Sequence, residues 1–580
     1  MSLQHVIDTS GENYSDVFPW SADTGGFRWR GIFHHKPPGQ NDLRSLLRSE
    51  RIQLVEWLRC LSGNFSLEYV DESFVFLAVD RIRSFSFFWA FEGDRLKWDS
   101  SARNLSHDLK LKKVNRESML EFRALGYVTG KQTLIDDLNQ LQAGEFLIYH
   151  RKSNELEIIQ YYNYPAENQI VADRQEMISK LDLVHEEITR NLIFSVSNRM
   201  ICVPLSGGYD SRLIVEMLAR ASYKNVVCFT YGTPNNREAK VASKLAKFLG
   251  YPWHFIEYSK THWRSFYHSE ERQDYFQYAD QLSVLPHMSD WPAVKIMKDR
   301  GIATEDAVFV SGMSGDFLEG RHILPAARLG DVRREDVVDG ILDAHYTQWS
   351  WRELGNDAQS KLRSKVSQQL PPQALFSPQQ AINASYLWEW RQRQAKYTCN
   401  SVRAYEYWGY EWRLPLWDNR LMDFWAVVPW REQEGRILYR EYVKKFSLVK
   451  SGSSDDKNLS TRAHSLAPSS VRRLAKKMHV AGGYKKIRRF LRKYFDHINV
   501  YRAFRLADYQ RWYGFVRGLF EYLFYAFRVR GWGSLLILDY LNEWQSFCSK
   551  DSGRQSIPFD RHMPHKPLET KSLIEKSQRL

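Results

Sequence analysis

The residues best suited to chemistry lie in one short segment, Pro204-Leu-Ser-Gly-Gly-Tyr-Asp-Ser-Arg212. Gly207 and Gly208 let the backbone turn sharply, so that several N–H groups point at one anion. Ser206 and Ser211 add hydroxyl donors, and Asp210 can hold Mg2+ against phosphates. The chemistry implied is capture of a nucleotide's phosphates. A bare Gly-Gly pair is only a tight turn, but Ser-Gly-Gly-x-Asp-Ser behind an apolar run is much more specific. Other phosphate motifs fail. Gly126-Tyr-Val-Thr-Gly-Lys131-Gln-Thr133 has its glycines one residue too close for a Walker loop, and Gln132 stands where Ser or Thr should meet magnesium.

Such a loop needs a strand before it and a helix after it. Met200–Leu205 is a continuous apolar run, and Ser211–Arg220 has helical spacing with Leu213, Met217 and Leu218 on one face. The helix dipole would then point its positive end at the anion. Asn225–Tyr231, Trp253–Tyr258 and Ala307–Val310 read as further strands, with helices at Met177–Leu192 and Arg237–Leu249. Strands alternating with helices imply right-handed crossovers and a parallel sheet covered on both faces. The loop would lie in the ligand crevice at the carboxyl edge of that sheet. Before residue 165 the pattern differs. Phe74–Val79, Ser84–Phe91, Gly144–Tyr149 and Leu156–Tyr162 read as short strands, giving a β-rich first domain. Residues 330–445 read as largely helical.

Composition bounds these readings. The chain has 580 residues, of which 43% are hydrophobic and 26% charged, which excludes a disordered chain and allows two to four domains at roughly 150 residues each. Basic residues outnumber acidic ones by 82 to 68, so an anionic partner is favoured. The five cysteines, Cys60, Cys202, Cys228, Cys399 and Cys548, are scattered with no CxxC pair, so neither a disulfide framework nor structural zinc is expected. Asp8, Glu12 and Asp16 interrupt any secretory core, and Arg528, Arg530 and Asp539 interrupt the most apolar late stretch. A soluble, cytoplasmic protein is the expectation.

The Ser206–Ser211 signature resembles the pyrophosphatase loop of the asparagine synthetase and β-lactam synthetase family. Ser311-Gly-Met-Ser-Gly-Asp316-Phe-Leu-Glu-Gly320 resembles its second glycine-rich loop. The stretch from Arg403 through Glu411-Trp-Arg413-Leu-Pro415-Leu-Trp-Asp418 resembles its G-x-E-x-R-x-P-x-x-D segment, and Gly435-Arg-Ile-Leu-Tyr-Arg440 follows as the family's helix does. In the first domain Leu61-Ser-Gly-Asn-Phe65, Asp80-Arg81, Leu125–Val128, Gly144 and Tyr161-Tyr162 fall in the order of the companion glutaminase domain. The resemblance implies an α/β chain of three parts. Residues 1–168 would be a glutaminase-type, Ntn-hydrolase-like domain, 169–450 a doubly wound ATP-pyrophosphatase domain, and 451–580 a basic, aromatic, mostly helical extension. It implies ATP bound by Leu205, Ser206, Gly207, Gly208, Asp210, Ser211, Tyr231, Ser311 and Gly312. Asp210 and Asp316 would hold Mg2+, and Lys450 would steady the transition state. The implied reaction adenylates a carboxylate, releases pyrophosphate and forms an amide.

Two departures from the family pattern matter. Glutamine-hydrolysing members begin Met-Cys-Gly, whereas this chain begins Met1-Ser2-Leu3-Gln4 and lacks the family's Asn-Gly-Glu loop. An inactive glutaminase is therefore expected, with nitrogen from ammonia, an amine or a separate donor. Met313 stands where asparagine synthetases have glutamate and β-lactam synthetases tyrosine, and methionine cannot accept a proton. The loop resembles that of relatives in bacterial surface-polysaccharide clusters, so the acid would be aspartate or a sugar carboxylate. The alternative is a non-catalytic binding or assembly protein on the same fold. Between Arg472 and Lys493 ten basic residues occur without an acid, and Tyr484, Ile487, Leu491 and Tyr494 recur at helical spacing. This segment, within 472–495, could be an ordinary surface helix or a contact with the inner membrane face. No nucleic-acid motif accompanies its charge.

Overall fold

The computed structural model describes residues 17–23, 26–34, 40–165, 172–232, 236–348 and 355–448, together with positions 537, 540, 541 and 544. The chain divides into a compact unit up to Ile537 and a second unit from Leu538. In the second, Tyr540, Leu541 and Trp544 are helical and buried.

The first part of the larger unit is built from antiparallel strands. β1 (Ser21–Ala22), β2 (Phe27–Phe33), β3 (Gly63–Val70), β4 (Phe74–Val79), β8 (Glu145–His150) and β9 (Glu155–Gln160) form one sheet in the order β1-β2-β3-β4-β8-β9. β5 (Phe88–Glu92), β6 (Arg95–Asp99) and β7 (Asn139–Gln140) form a second sheet of order β6-β5-β7. Val75, Leu77 and Val79 of β4 and Leu147 of β8 pack on Trp89 and Leu96 of the second sheet and on Phe87 just before it. Phe76 and Ala78 on the opposite face of β4 are buried too, so the strand reads as a continuous apolar run. The strand expected over Ser84–Phe91 starts only at Phe88. Asp80 accepts from the N–H groups of Ile82 (2.7 Å) and Ser84 (3.3 Å), which folds this stretch into a turn.

The remainder of the larger unit holds a five-stranded parallel sheet. β10 (Ile201–Pro204) is central, flanked by β11 (Val226–Gly232) and β12 (Trp253–Glu257) on one side and by β13 (Val308–Val310) and β16 (Glu411–Arg413) on the other. Every pairing is parallel. Strand order reverses between β10 and β13, and loops leaving a parallel sheet on either side of such a point diverge and leave a crevice. The helices Arg174–Val196, Tyr209–Arg220 and Arg237–Leu249 match the helical spacing of the sequence. β16 was not expected. A three-residue strand is too short for any period, and Glu411-Trp-Arg413 reads as a motif instead. Between β13 and β16, β14 (Val332–Arg333) and β15 (Leu375–Phe376) form a small antiparallel ribbon.

The two parts meet in a polar seam. Arg81 pairs with Asp423 at 2.5 Å, the Trp390 indole N–H donates to the Arg81 carbonyl at 2.9 Å, and Lys365 pairs with the buried Glu121 at 2.6 Å. The false Walker loop lies here. The amides of Val128, Thr129 and Gly130 donate to the Ser283 carbonyl, Glu121 and Gln392 at 2.8, 2.9 and 2.8 Å, so none of the three is available to a phosphate. Among the described residues no helix is long and apolar enough to cross a membrane.

Candidate active site

β10 delivers the first loop. Leu205 donates its N–H to the Phe229 carbonyl (2.8 Å), and its own carbonyl accepts from the Thr230 hydroxyl (2.6 Å). Leu205 is thus clamped under the loop rather than exposed on it. The turn above is organised by its two serines. Ser206 donates its N–H to Ser211 Oγ (3.0 Å), Gly208 donates its N–H to Ser206 Oγ (3.1 Å), and the hydroxyls lie 3.1 Å apart. Gly208 then caps the helix Tyr209–Arg220, which places Asp210 in its first turn.

β13 delivers the second loop, and two glycines press it against the first. A Cβ on Gly312 would lie 2.8 Å from the Ser211 nitrogen, and one on Gly315 would lie 2.8 Å from Asp210 Cγ. No real side chain tolerates such distances, so glycine at both positions is what lets the loops touch. Their contact brings Asp316 to Asp210, with the Asp316 N–H on the Asp210 carboxylate. Burial and the neighbouring Asp316 charge push Asp210 up to about 6, against the opposing pull of Arg436. Arg436 lies 3.0 Å from Asp210 Oδ1, also bonds the buried Glu319, and sits over the Tyr209 and Tyr439 rings at 5.3 and 4.8 Å.

Asp316 behaves differently. Burial would raise it, but His322, Arg321 and Arg436 together hold it below the usual carboxylate range. His322 stands between two acids, with Nδ1 2.5 Å from Glu389 and Nε2 3.6 Å from Asp316. Burial works against its charge, yet these two partners raise it to about 9. Glu389, itself buried, also accepts from Gln394 at 2.9 Å and pairs with Arg393 at 3.3 Å, and its neighbours overcome the effect of burial to hold it ionised.

Glu389 opens ten residues of π-helix, Glu389–Thr398, an irregularity frequent at functional sites. Its far end supplies Arg393, Tyr397 and Thr398 to one wall of a cleft of about 340 Å3. Ser206, Gly208, Asp210, Ser211, Tyr231, Ser311 and Gly312 line the same cleft, together with Met313, His287, Asp290 and Ser401. Tyr231 stacks on Tyr258 at 5.2 Å, and Asp290 receives the hydroxyls of Tyr231 (2.6 Å) and Tyr405 (2.5 Å).

Seven of the nine residues expected to bind nucleotide therefore share one cleft. Leu205 lies beneath it, Gly207 faces Glu238 instead, and Asp316, expected beside Asp210 as a metal ligand, meets that carboxylate through its N–H without lining the cleft. Lys450, the start Met1–Gln4 and the segment 472–495 lie outside the described residues. The Arg403–Asp418 segment adjoins the cleft through Tyr405, which bonds Asp290, and through the Arg413 carbonyl, which accepts from the Ser311 N–H at 3.4 Å, while the Glu411 and Arg413 side chains lie outside it. They form an ion network with Arg199, at 2.6 Å from Arg199 to Glu411 and 2.9 Å from Arg413 to Glu411, which lines a separate hollow. Sequence reasoning missed Arg393, His287, Asp290 and a role for Arg436. Of these only Arg436 carried a signal, its place directly after Gly435 at a helix start.

The donor set fits magnesium in a limited sense. Among the described residues no group of three or more His, Cys, Asp or Glu could hold a metal. Mg2+, however, commonly takes one or two carboxylates and completes its shell with phosphates and water. Asp210 and Asp316 supply such a pair, and the charge they crowd together is what a cation would relieve.

Residues 187–446 match the asparagine synthase family. Curated proteins give no significant match. Among solved structures, the chain is similar to the NH3-dependent NAD synthetase of Campylobacter jejuni, at 19% identity over 26% of this chain and 61% of that one, with a TM-score of 0.18. It is also similar to the glutamine phosphoribosylpyrophosphate amidotransferase of B. subtilis, at 11% identity over 53% of this chain and 60% of that one, with a TM-score of 0.16. In both cases the alignment spans about three-fifths of the solved chain. The family match covers both glycine-rich loops and the cleft wall, so the similarity to asparagine synthase falls on the residues that form the cleft.

Proposed function

We propose that the protein is an ATP-dependent ligase that activates a carboxylate as its adenylate, releases pyrophosphate and forms an amide with ammonia or an amine. The observation that carries this reading is the contact between the two glycine-rich loops. It brings the carboxylates of Asp210 and Asp316 together beside the Ser206 and Ser211 hydroxyls at the carboxyl edge of a parallel sheet. In this reading Ser206, Gly208 and Ser211 orient the triphosphate, and the Tyr231–Asp290–Tyr405 network holds the rim against which the nucleotide lies. Mg2+ on Asp210 and Asp316 would neutralise charge on the departing pyrophosphate. Arg436 adds a cation within reach of the same carboxylate, and Lys450 is a further candidate for that role. The protein's contribution is positioning and charge stabilisation. The acid we propose is aspartate or a sugar carboxylate of a surface polysaccharide, with nitrogen from outside a glutaminase-like first domain that no longer hydrolyses glutamine. A cytoplasmic site of action, with the 472–495 segment at the inner membrane face, completes the proposal.

Met313 favours a second reading, a nucleotide-binding protein without turnover. One experiment separates the two. Pyrophosphate release from Mg-ATP is measured with aspartate and with uronic acids plus ammonia, beside an Asp210→Ala control. Acid-dependent release that is lost in the control supports the ligase. Thermal stabilisation by Mg-ATP with no release from any acid supports the second reading.

A further inference from the structure

An amide formed from ammonia leaves a proton to be placed, because the attacking nitrogen becomes positively charged as it bonds to carbon. Met313 offers only a thioether, which receives the Ser401 hydroxyl at 3.5 Å. One imidazole lines the same cleft, that of His287. Its loop is pinned from several sides. The Tyr275 hydroxyl donates to the His287 carbonyl at 2.8 Å, Leu285 donates its N–H to the Gly126 carbonyl at 2.8 Å, and the Leu282 carbonyl accepts from Leu134 at 2.7 Å. The ring lies edge-on to Tyr397 at 6.4 Å.

What distinguishes this ring from that of His185, whose Nδ1 is equally unpartnered, is its place in the cleft wall. Nδ1 is sealed from solvent without a hydrogen-bond partner, and among the described residues neither nitrogen makes a hydrogen bond. The cleft's other titratable and charged groups are Asp290 on the same loop, Tyr231 from β11, Arg393 and Tyr397 from the π-helix, and Asp210. Burial lowers the imidazole below the ordinary histidine range, and Asp290 only partly opposes this, so the ring is neutral at pH 7. A buried imidazole held only for structure would normally have at least one nitrogen bonded.

We infer that His287 is the proton acceptor of the amide-forming step, the role that Met313 cannot fill. The inference rests on the ligase reading above. In that step the ammonia lone pair forms a C–N bond to the acyl carbon, and the C–O bond to the phosphate breaks. AMP leaves with the electron pair, and one proton of the new ammonium passes to Nε2, the ring nitrogen that is not sealed, and later to water.

The test uses the full chain and His287→Asn. ATP–pyrophosphate exchange reports adenylation, and ammonia-dependent AMP release reports amide formation, with aspartate and glucuronate as acids. The expectation is exchange within about twofold of wild type and AMP release reduced about a hundredfold, the scale of a lost general base. Hydroxylamine, delivered largely uncharged, should recover at least about tenfold of the loss. At constant free ammonia the wild-type rate should fall at acidic pH as the imidazole protonates, and the variant should lack that limb. Equal loss of exchange and AMP release, or no loss of either, overturns the assignment of His287. Absence of exchange in the wild type with both acids instead overturns the ligase reading for these acids, and the inference falls with it.

Discussion

Asp80 and Asp210 lie in different parts of the larger unit, the first fully buried and the second partly so, and removal from water pushes each up to about 6. Their surroundings are opposite. Asp80 receives the N–H groups of Phe65 (2.8 Å), Ile82 (2.7 Å) and Ser84 (3.3 Å) and the Ser84 hydroxyl, so its lone pairs are spent on its own turn. Asp210 has Arg436 and one backbone N–H, lies beside a second acid, and opens on a cleft. A carboxylate saturated by its own chain holds a fold together. One left crowded and half-satisfied stores electrostatic repulsion that a bound cation can release. The two glycine-containing loops differ in a related way, since the amides at 128–130 are tied to other segments while those of Ser206 and Gly208 are held only by the loop's own serines, in a turn that lines the cleft.

Substitution should pull the two aspartates apart. The largest effect is expected from Asp210→Ala or Asp316→Ala, each lowering pyrophosphate release at least about a hundredfold. The fold should survive. An acid whose pKa rises on folding adds stability only below its unfolded value and loses it as pH rises through about 6, so Asp210→Asn should raise the melting temperature at pH 7.5. Asp80→Ala should do the reverse. It strands several donors at once, and the expected cost is about 3 kcal/mol or more, read by chemical denaturation. A D80A chain as stable as wild type would break the comparison.

Next comes His322. Its folded value near 9 lies above the ordinary 6.5, so its contribution is complete below pH 6.5 and is lost as pH rises through 9. Wild-type stability should therefore fall across that window by on the order of 2 kcal/mol, and His322→Gln should remove the slope. The smallest effect belongs to Glu411→Gln. It weakens the Arg199–Glu411–Arg413 network by about 1 kcal/mol and should leave pyrophosphate release unchanged, because that network does not line the cleft. Loss of activity in this variant would return Glu411 to the active site.

What could be read beforehand follows a physical divide. Strands β10 and β11 are buried on both faces and announce themselves as apolar runs, and the Ser206–Ser211 loop is local, so its residues stand together in sequence as they do in space. The cleft wall is another matter. His287 and Arg393 reach the cleft only through tertiary packing, and nothing near them in sequence marks them. The π-helix defeats pattern reading in a specific way. Gln392, Gln394 and Lys396 are polar yet buried, so a segment that looks like a solvated face is an interior one. β16 fails for lack of length, and the turn after Asp80 fails because aromatic residues there suggest a strand while one carboxylate takes the backbone.

The seam bears on how this chain can be divided or pared down. Gly126–Leu134 belongs by sequence to the first part, but it holds the His287 loop through Leu282, Ser283 and Leu285, and it receives the Lys396 ammonium on its Val128 and Gly130 carbonyls. Lys396 is fully buried, and its charge is held well down by that burial. A version cut between the two parts would uncover this amine together with the loop behind the cleft. The first part is thus masonry for the second, whatever trade it has of its own.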